Sequence, residues 1–557
     1  MDVDVVVLGT GLSESITAAA LSKAGYKVAH IDRNPYYGGD DASLSVDELI
    51  AWADERASNS GVSSPYLIAQ RKRFSRISYS GSIPPHSRQY AISLQPTIIP
   101  CIGPLIDSLI ASGVSRYGGF KLLERVAIFA GPGAVKTVPG TKEDVFKNKE
   151  LSLLHKRRLM RFLMFARAEF EDKTELQCNE SVPFAQFLRA QFSLDEEVIQ
   201  VIVFALAFCV SATDPTLPAL QRIRRYFRST GRYGPSSFLV GHYGGAGEIA
   251  QGFCRTSAVG GATYILGRSV TSINRPPSLG VSSRRYAVHL EDVPEQLYCD
   301  VLLASQDYAN EGGGTASDAS IAATDTYLFA RCVAIIDKPI HFPGGSDESV
   351  SSSNMDDPMY TAHPETQQPQ PSSEIDTAVL VFPPSSLNGG STTSSVNALI
   401  TGEGSQSTPR GKSIIYLTMP LSNDAGVTQT PEVLLRPYLD ATLTLTSPGP
   451  SEQRNAIAPL FTLFYMQHSV IPSRSADSPD LSPTIQYTAP YAPHLPEIGD
   501  SAATIAESIF WRAVESLKAM GRHPERTDGG SDMEASTTHQ IDSFWPPLEY
   551  VDEGEDW

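Results

Sequence analysis

The residues best arranged for chemistry stand near the N-terminus. There Gly9-Thr10-Gly11-Leu12-Ser13-Glu14 follows the apolar run Val5 to Leu8 and leads into a helical stretch, Ser13 to Ala24, closed by Gly25. A glycine turn between a buried strand and a helix brings backbone N–H groups and the positive end of the helix dipole to one point, an arrangement suited to a pyrophosphate. Asp32 closes a second strand, Lys27 to Ile31, about 20 residues past the turn, where a βαβ dinucleotide unit carries its ribose-binding acid. Gly9, Gly11 and Asp32 fit such a site, but Glu14 replaces its third glycine. At ~4 Å and an effective dielectric of ~20, each like-charge contact with a diphosphate costs roughly 4 kcal/mol, and the side chain adds bulk. The helix N-terminus favours an anion, so Glu14 is expected to sit there as a carboxylate. The loop is then degenerate, with no cofactor and with Asp32 left without a ribose. A flavin bound past a solvent-directed Glu14 is the competing reading.

No second constellation replaces it. The 11 His show no metal-ligand spacing, and the chain has no G-x-S-x-G elbow, Walker A loop or H-E-x-x-H helix. The six cysteines, Cys101, Cys178, Cys209, Cys254, Cys299 and Cys332, are scattered singly, which fits neither a zinc site nor a disulfide framework and points to a reducing, cytoplasmic setting. With 62 acidic against 44 basic residues the net charge is −18, which opposes nucleic acid as the main partner. The N-terminus lacks the basic region of a secretory signal, and Val198 to Val210 falls short of the ~20 residues a membrane span needs.

The elements that must position the loop read as α/β: a doubly wound parallel sheet interrupted by an all-helical insertion. Leu151 to Ala168, Phe184 to Gln191, Asp195 to Cys209 and Leu217 to Ser229 carry helical periodicity, placing the insertion at 142–228 between sheet-forming parts 1–141 and 229–541. Strand-like runs resume at Tyr264 to Leu266, Val270 to Ile273, Tyr286 to Leu290, Val301 to Ala304, Thr377 to Phe382, Ser413 to Thr418 and Leu460 to Gln467. A last helix is expected from Ala502 to Met520 with Asp500 or Ser501 as N-cap. The aliphatic-poor stretch 343–374 reads as a disordered insertion, 521–541 as loose, and 542–557 as an acidic tail.

The opening block DVVVLGTGLSESITAAALSKAGYKVAHIDRNPYYGGDDASLS, together with VSRYGGFKLLERV, ELSLLHKRRLMRFLMF and GRYGPSSFLVGHYGGAGEIAQGFCRTSAVGGATYIL, resembles the Rab GDP dissociation inhibitor and Rab escort protein superfamily. The glutamate in the glycine loop is part of that likeness. The resemblance implies an FAD/NAD(P)-binding-like fold without cofactor, no catalytic residue, and a Rab-binding platform at Tyr37, Glu248, Arg255 and Ile265; Ile265 departs from the methionine frequent in the inhibitors. Arg232 and Tyr233 read as structural. VSRYGGFK, VPGTKEDVFKNKELSLLHKRRLM, ALAFCVSATDP and the extra length favour the escort branch. That branch implies GDP-form Rab GTPases as partners, presented to a Rab geranylgeranyltransferase heterodimer, with shelter for a geranylgeranyl group and transient membrane contact. Phe184 matches an aromatic presented to the transferase, and equally suits a core position. A GDP dissociation inhibitor, and a flavin-dependent oxidoreductase on the same fold, are the alternatives.

Overall fold

The computed structural model describes residues 1–58, 64–138, 152–276, 283–309, 325–342, 374–421, 428–446, 457–471, 484–524 and 541–547. Strand β1 (Val5–Leu8) runs into helix α1 (Leu12–Lys23) and strand β2 (Val28–Asp32), as the N-terminal pattern predicts. The turn between β1 and α1 needs Gly9, whose φ of +99° lies where a side chain is strained. A five-stranded parallel sheet forms in the order Thr263–Leu266, β2, β1, Val301–Ala304, Ile485–Tyr487. Every residue of β1 and β2 is buried because both faces of this sheet are covered. On one face α1 packs with the helices Ala246–Val259 and Ile498–Ala519, its run Ala18-Ala19-Ala20 permitting close approach. On the other lie the antiparallel strands Val270–Asn274, Tyr286–Leu290 and Val293–Cys299.

The larger sheet is mostly antiparallel and has eight strands: Phe74–Gly81, Phe461–Ile471, Asp325–Ile336, Ser413–Leu421, Val396–Gly402, Thr377–Phe382, Arg125–Gly131 and Ala134–Thr137. Alternation sorts its side chains. Ala330, Cys332, Ala334 and Ile336 face the core containing helix Pro431–Leu443, while Val333 and Ile335 face the helical segment.

That segment comprises Leu153–Arg167, Phe184–Phe192, Glu196–Gln200 and Thr216–Ser229, with no strand among the described residues of 152–229. The expected single helix from Asp195 to Cys209 instead passes into π-helical turns at Val201–Leu206 and ends beside Phe208, whose φ is +50°. Phe162, Phe165, Phe170, Phe184, Phe187 and Phe192 fill its interior, in one cluster with Val379, Tyr416 and Leu463 of the large sheet. The insertion therefore shares its core with the sheet.

Two expectations are corrected. The last helix spans Ile498–Ala519 with Glu497 as N-cap, and Asp500 sits in its first turn. Asp500 serves another helix, Pro104–Ser112, accepting from Leu105 N at 3.0 Å while facing Arg225 at 3.2 Å. Within 542–557, Phe544 and Trp545 pack on Phe510 and Phe253 at 5.2 and 5.9 Å between ring centroids, so an acidic-tail reading does not describe them. The rest of that tail, 548–557, lies outside the described residues, as do 525–540 of the expected loose stretch and 343–373 of the expected insertion; Glu374 opens the short strand Glu374–Ile375. No helix among the described residues is long and apolar enough to cross a membrane.

Candidate functional site

The glycine loop is filled from within. Asp32 accepts from Thr10 N and Thr10 Oγ1 at 2.8 and 2.6 Å, and from Asn34 N and Nδ2 at 2.8 and 2.9 Å. Its carboxylate holds the loop in shape with both oxygens engaged. Leu12 N, an amide that would face a pyrophosphate, donates to Asp41 Oδ2 at 2.8 Å, and Tyr491 Oη donates to the same oxygen at 2.7 Å. Asp41 is brought there by the turn at Gly38, whose φ is +101° and where a Cβ would meet the Ala42 backbone at 2.7 Å.

Glu14 is buried and accepts from Thr488 Oγ1 at 2.6 Å. Burial pushes its carboxyl up to about 7, outweighing the Thr488 hydrogen bond, and pushes Asp41 up to about 6. Burial thus opposes the ionised carboxylate that the helix dipole alone would favour. What opposes a dinucleotide is occupancy. The remaining cavity measures about 100 Å³, whereas small-molecule pockets run from about 300 to 1,000 Å³. The residues present do not fit a flavin or nicotinamide dinucleotide. Glu14→Gly alone is accordingly expected to leave the purified protein colourless after incubation with FAD, because Asp41 still holds the Leu12 amide; flavin absorption in the gel-filtered variant would contradict this.

A second site lies on helix Ala246–Val259. Glu248 and Arg255, seven positions apart, share one face and line a cleft of about 130 Å³ with Tyr117, Gly119, Phe120 and His242. Arg255 is exposed and stands over the Tyr117 ring, 4.6 Å from its centroid; neither it nor Glu248 has an ion-pair partner among the described residues. Burial raises the Glu248 carboxyl. Tyr37, half-buried after β2, packs edge-on against Tyr264 at 6.0 Å, and Tyr264 packs on His30 at 5.0 Å.

Ile265 does not join them. It pairs with Ile31 in register and turns to the opposite face of the parallel sheet, because adjacent strand residues point opposite ways. Phe184 is fully buried, its ring 6.3 Å from Phe162 and 6.4 Å from Phe187, so in this structure it packs the core and presents nothing to a partner. Tyr117, His242 and Tyr264 escape the sequence reading. Tyr117 lay within the block VSRYGGFK, and Tyr264 directly before Ile265, so period-two alternation was the available signal. Among the described residues no group of three or more His, Cys, Asp or Glu is placed to hold a metal ion.

Comparison with known proteins gives a consistent picture. A family described as "GDP dissociation inhibitor" matches residues 1–343. A Saccharomyces cerevisiae protein named "Rab proteins geranylgeranyltransferase component A" is 32% identical over 417 residues, covering 75% of this chain and 61% of that protein. A Drosophila melanogaster protein of the same name is 35% identical over 288 residues, covering 48% and 54% respectively. The chain thus spans under two thirds of the length of these relatives. Among solved structures, a Rab GDI from Plasmodium falciparum superposes with a TM-score of 0.59 at 19% identity, covering 94% of this chain and 98% of that one. An oxidoreductase from Methanosarcina mazei gives 0.51 at 14% identity, with 92% and 100% covered. These two likenesses concern the fold, which serves both redox and non-redox proteins, so the contents of the glycine loop carry the distinction.

Proposed function

The chain belongs to the GDP dissociation inhibitor family, and from that premise we propose that it is a Rab escort protein: it holds a newly made, GDP-loaded Rab GTPase and presents it to a separate geranylgeranyltransferase heterodimer. The prenylated Rab is then carried to a membrane. The observation that carries this reading is the cleft on helix Ala246–Val259, where Glu248 and Arg255 stand without ion-pair partners among the described residues, beside the exposed ring of Tyr117. An acid and a base seven positions apart, with Tyr117 lining the same cleft, suit oriented charge-assisted bonds to a folded protein surface. Tyr37 adds rigid amphipathic area on the flank of the same helix.

In this reading the protein supplies no bond-making group. The carboxyls inside the glycine loop replace a cofactor with internal hydrogen bonds and leave a rigid scaffold. Holding the GTPase domain while its flexible tail reaches the transferase raises the local concentration of the tail cysteines, so one enzyme serves many tails. The attached isoprenoid needs cover, since burying a twenty-carbon chain at ~0.8 kcal/mol per CH2 is worth up to about 16 kcal/mol. The helical segment, with its phenylalanine interior, is the part suited to provide it.

Mixing purified protein with unprenylated Rab, the transferase heterodimer and geranylgeranyl diphosphate tests the reading. Lipid transfer that depends on this protein is expected. Absence of transfer, with extraction of prenylated Rab from membranes instead, would assign it to the inhibitor branch.

A further inference from the structure

The cavity that starts at the glycine loop ends on the eight-stranded sheet, where it meets Arg331. Three arginines are buried among the described residues: Arg56, Arg222 and Arg331. The first two have carboxylates nearby, Glu55 at 3.4 Å and Asp214 at 3.9 Å. Arg331, 3% exposed, has none within ion-pair distance among the described residues. Its Nε donates to Gln467 Oε1 at 2.9 Å, Nη1 to Thr418 Oγ1 at 2.8 Å and Nη2 to Gln95 Oε1 at 3.2 Å. All three acceptors are neutral, and a guanidinium has five N–H donors, so two remain. The Phe329 ring, 5.1 Å away, supplies only a quadrupole.

Strand register builds a polar patch around this charge. Arg331 pairs with Thr418, and Thr418 with Asn397, so the three stand in a row across adjacent strands. Asn397 also lines the cavity, and its side-chain Oδ1 is buried without a partner among the described residues. Because amide oxygen and nitrogen exchange by a flip, this group can offer a donor as readily as an acceptor. Ser469 adds a hydroxyl to the lining. The five carboxylates at the far end are engaged there: Asp32 with Thr10 and Asn34, Asp40 and Asp307 with Arg73, Asp41 with Leu12 N and Tyr491, Glu14 with Thr488.

A buried charge is costly unless an opposite charge accompanies it. We propose that the Arg331 end of the cavity binds a small anion, a carboxylate or inorganic oxyanion no larger than phosphate, using the guanidinium with Asn397 and Ser469. The space of about 100 Å³ excludes a nucleotide or a lipid chain. Two parallel N–H···O bonds from a guanidinium match both kinds of oxyanion. The site is separate from the GTPase-binding cleft and stands whether or not the escort reading does.

Thermal unfolding of the full chain in rising sodium formate, and separately sodium phosphate, tests this, with ionic strength held by bulky gluconate. For the unaltered protein a saturable rise in Tm of about 2–4 °C is expected. Formate acting where phosphate does not would identify a carboxylate; the reverse, an inorganic oxyanion. Gln467→Glu places a carboxylate on the guanidinium in an isosteric frame and should abolish the rise, as should Arg331→Met. Should Arg331→Met fail to fold, Gln467→Glu decides alone. No saturable rise in the unaltered protein, or an equal rise in Gln467→Glu, overturns the proposal.

Discussion

Arg255→Ala is expected to weaken binding of GDP-loaded Rab by about 1–3 kcal/mol, roughly 5- to 150-fold in Kd, while the fold stays intact. The structure separates the two effects. Arg255 is exposed, has no ion pair among the described residues and touches the Tyr117 ring, so its removal costs the free protein at most a surface cation–π contact of about 0.5–1 kcal/mol. Any larger loss on binding must come from the partner. Tyr37→Ala should weaken binding by a similar ~1–3 kcal/mol, through lost aromatic area on the other flank of the helix. Ile265→Ala supplies the control: its side chain lies across the sheet from the cleft, so affinity should be unchanged even if stability falls. Titration calorimetry with each variant, checked by circular dichroism, measures all three. Unaltered affinity in both Arg255→Ala and Tyr37→Ala would remove the cleft from the Rab-binding surface.

The contrast between Arg255 and Ile265 shows where sequence reading reaches its limit. A block resemblance marks both positions, but the pairing of Thr263–Leu266 with β2 turns Ile265 to the far face of the sheet, while Arg255 lies on the cleft side of helix Ala246–Val259. The glycine loop was legible because strand, turn, helix and acid lie within one short segment whose geometry is local. Its contents were not. Asp41 reaches Leu12 N across 29 positions, Tyr491 reaches Asp41 across 450 and Thr488 reaches Glu14 across 474, distances over which no periodicity carries information. The same holds for Asp500, a plausible N-cap by type that is drawn to Leu105 N on another helix. Of the eight-stranded sheet only three strands, at Thr377–Phe382, Ser413–Leu421 and Phe461–Ile471, were read from the sequence, and those as separate runs, since the sheet joins segments from both sides of the helical insertion. Phe184 suited two roles by sequence, and burial places it among its neighbouring phenylalanines.

The interior carboxyl that replaces the glycine should also leave a signature in stability against pH. Burial raises Glu14 to about 7 in the folded protein, whereas an unfolded chain releases the same proton near the ordinary glutamate value of 4.5. Below the unfolded value both states are protonated and Glu14 has no effect on pH dependence. As pH rises from there to about 7, the folded state retains a proton the unfolded state has lost, so stability falls, and above 7 the loss is complete. The gap of roughly 2.5 units corresponds to about 3 kcal/mol. Asp41 and Asp500, each raised to about 6 mainly by burial, tilt the wild-type profile in the same direction. Glu14→Gln isolates the first contribution, because its amide oxygen still accepts from Thr488 and its charge never develops. The variant should match the wild type at pH 4 and exceed it by about 3 kcal/mol at pH 8.5 in urea unfolding. A difference that does not change with pH would mean that Glu14 titrates alike in the folded and unfolded states, so that burial does not raise its carboxyl.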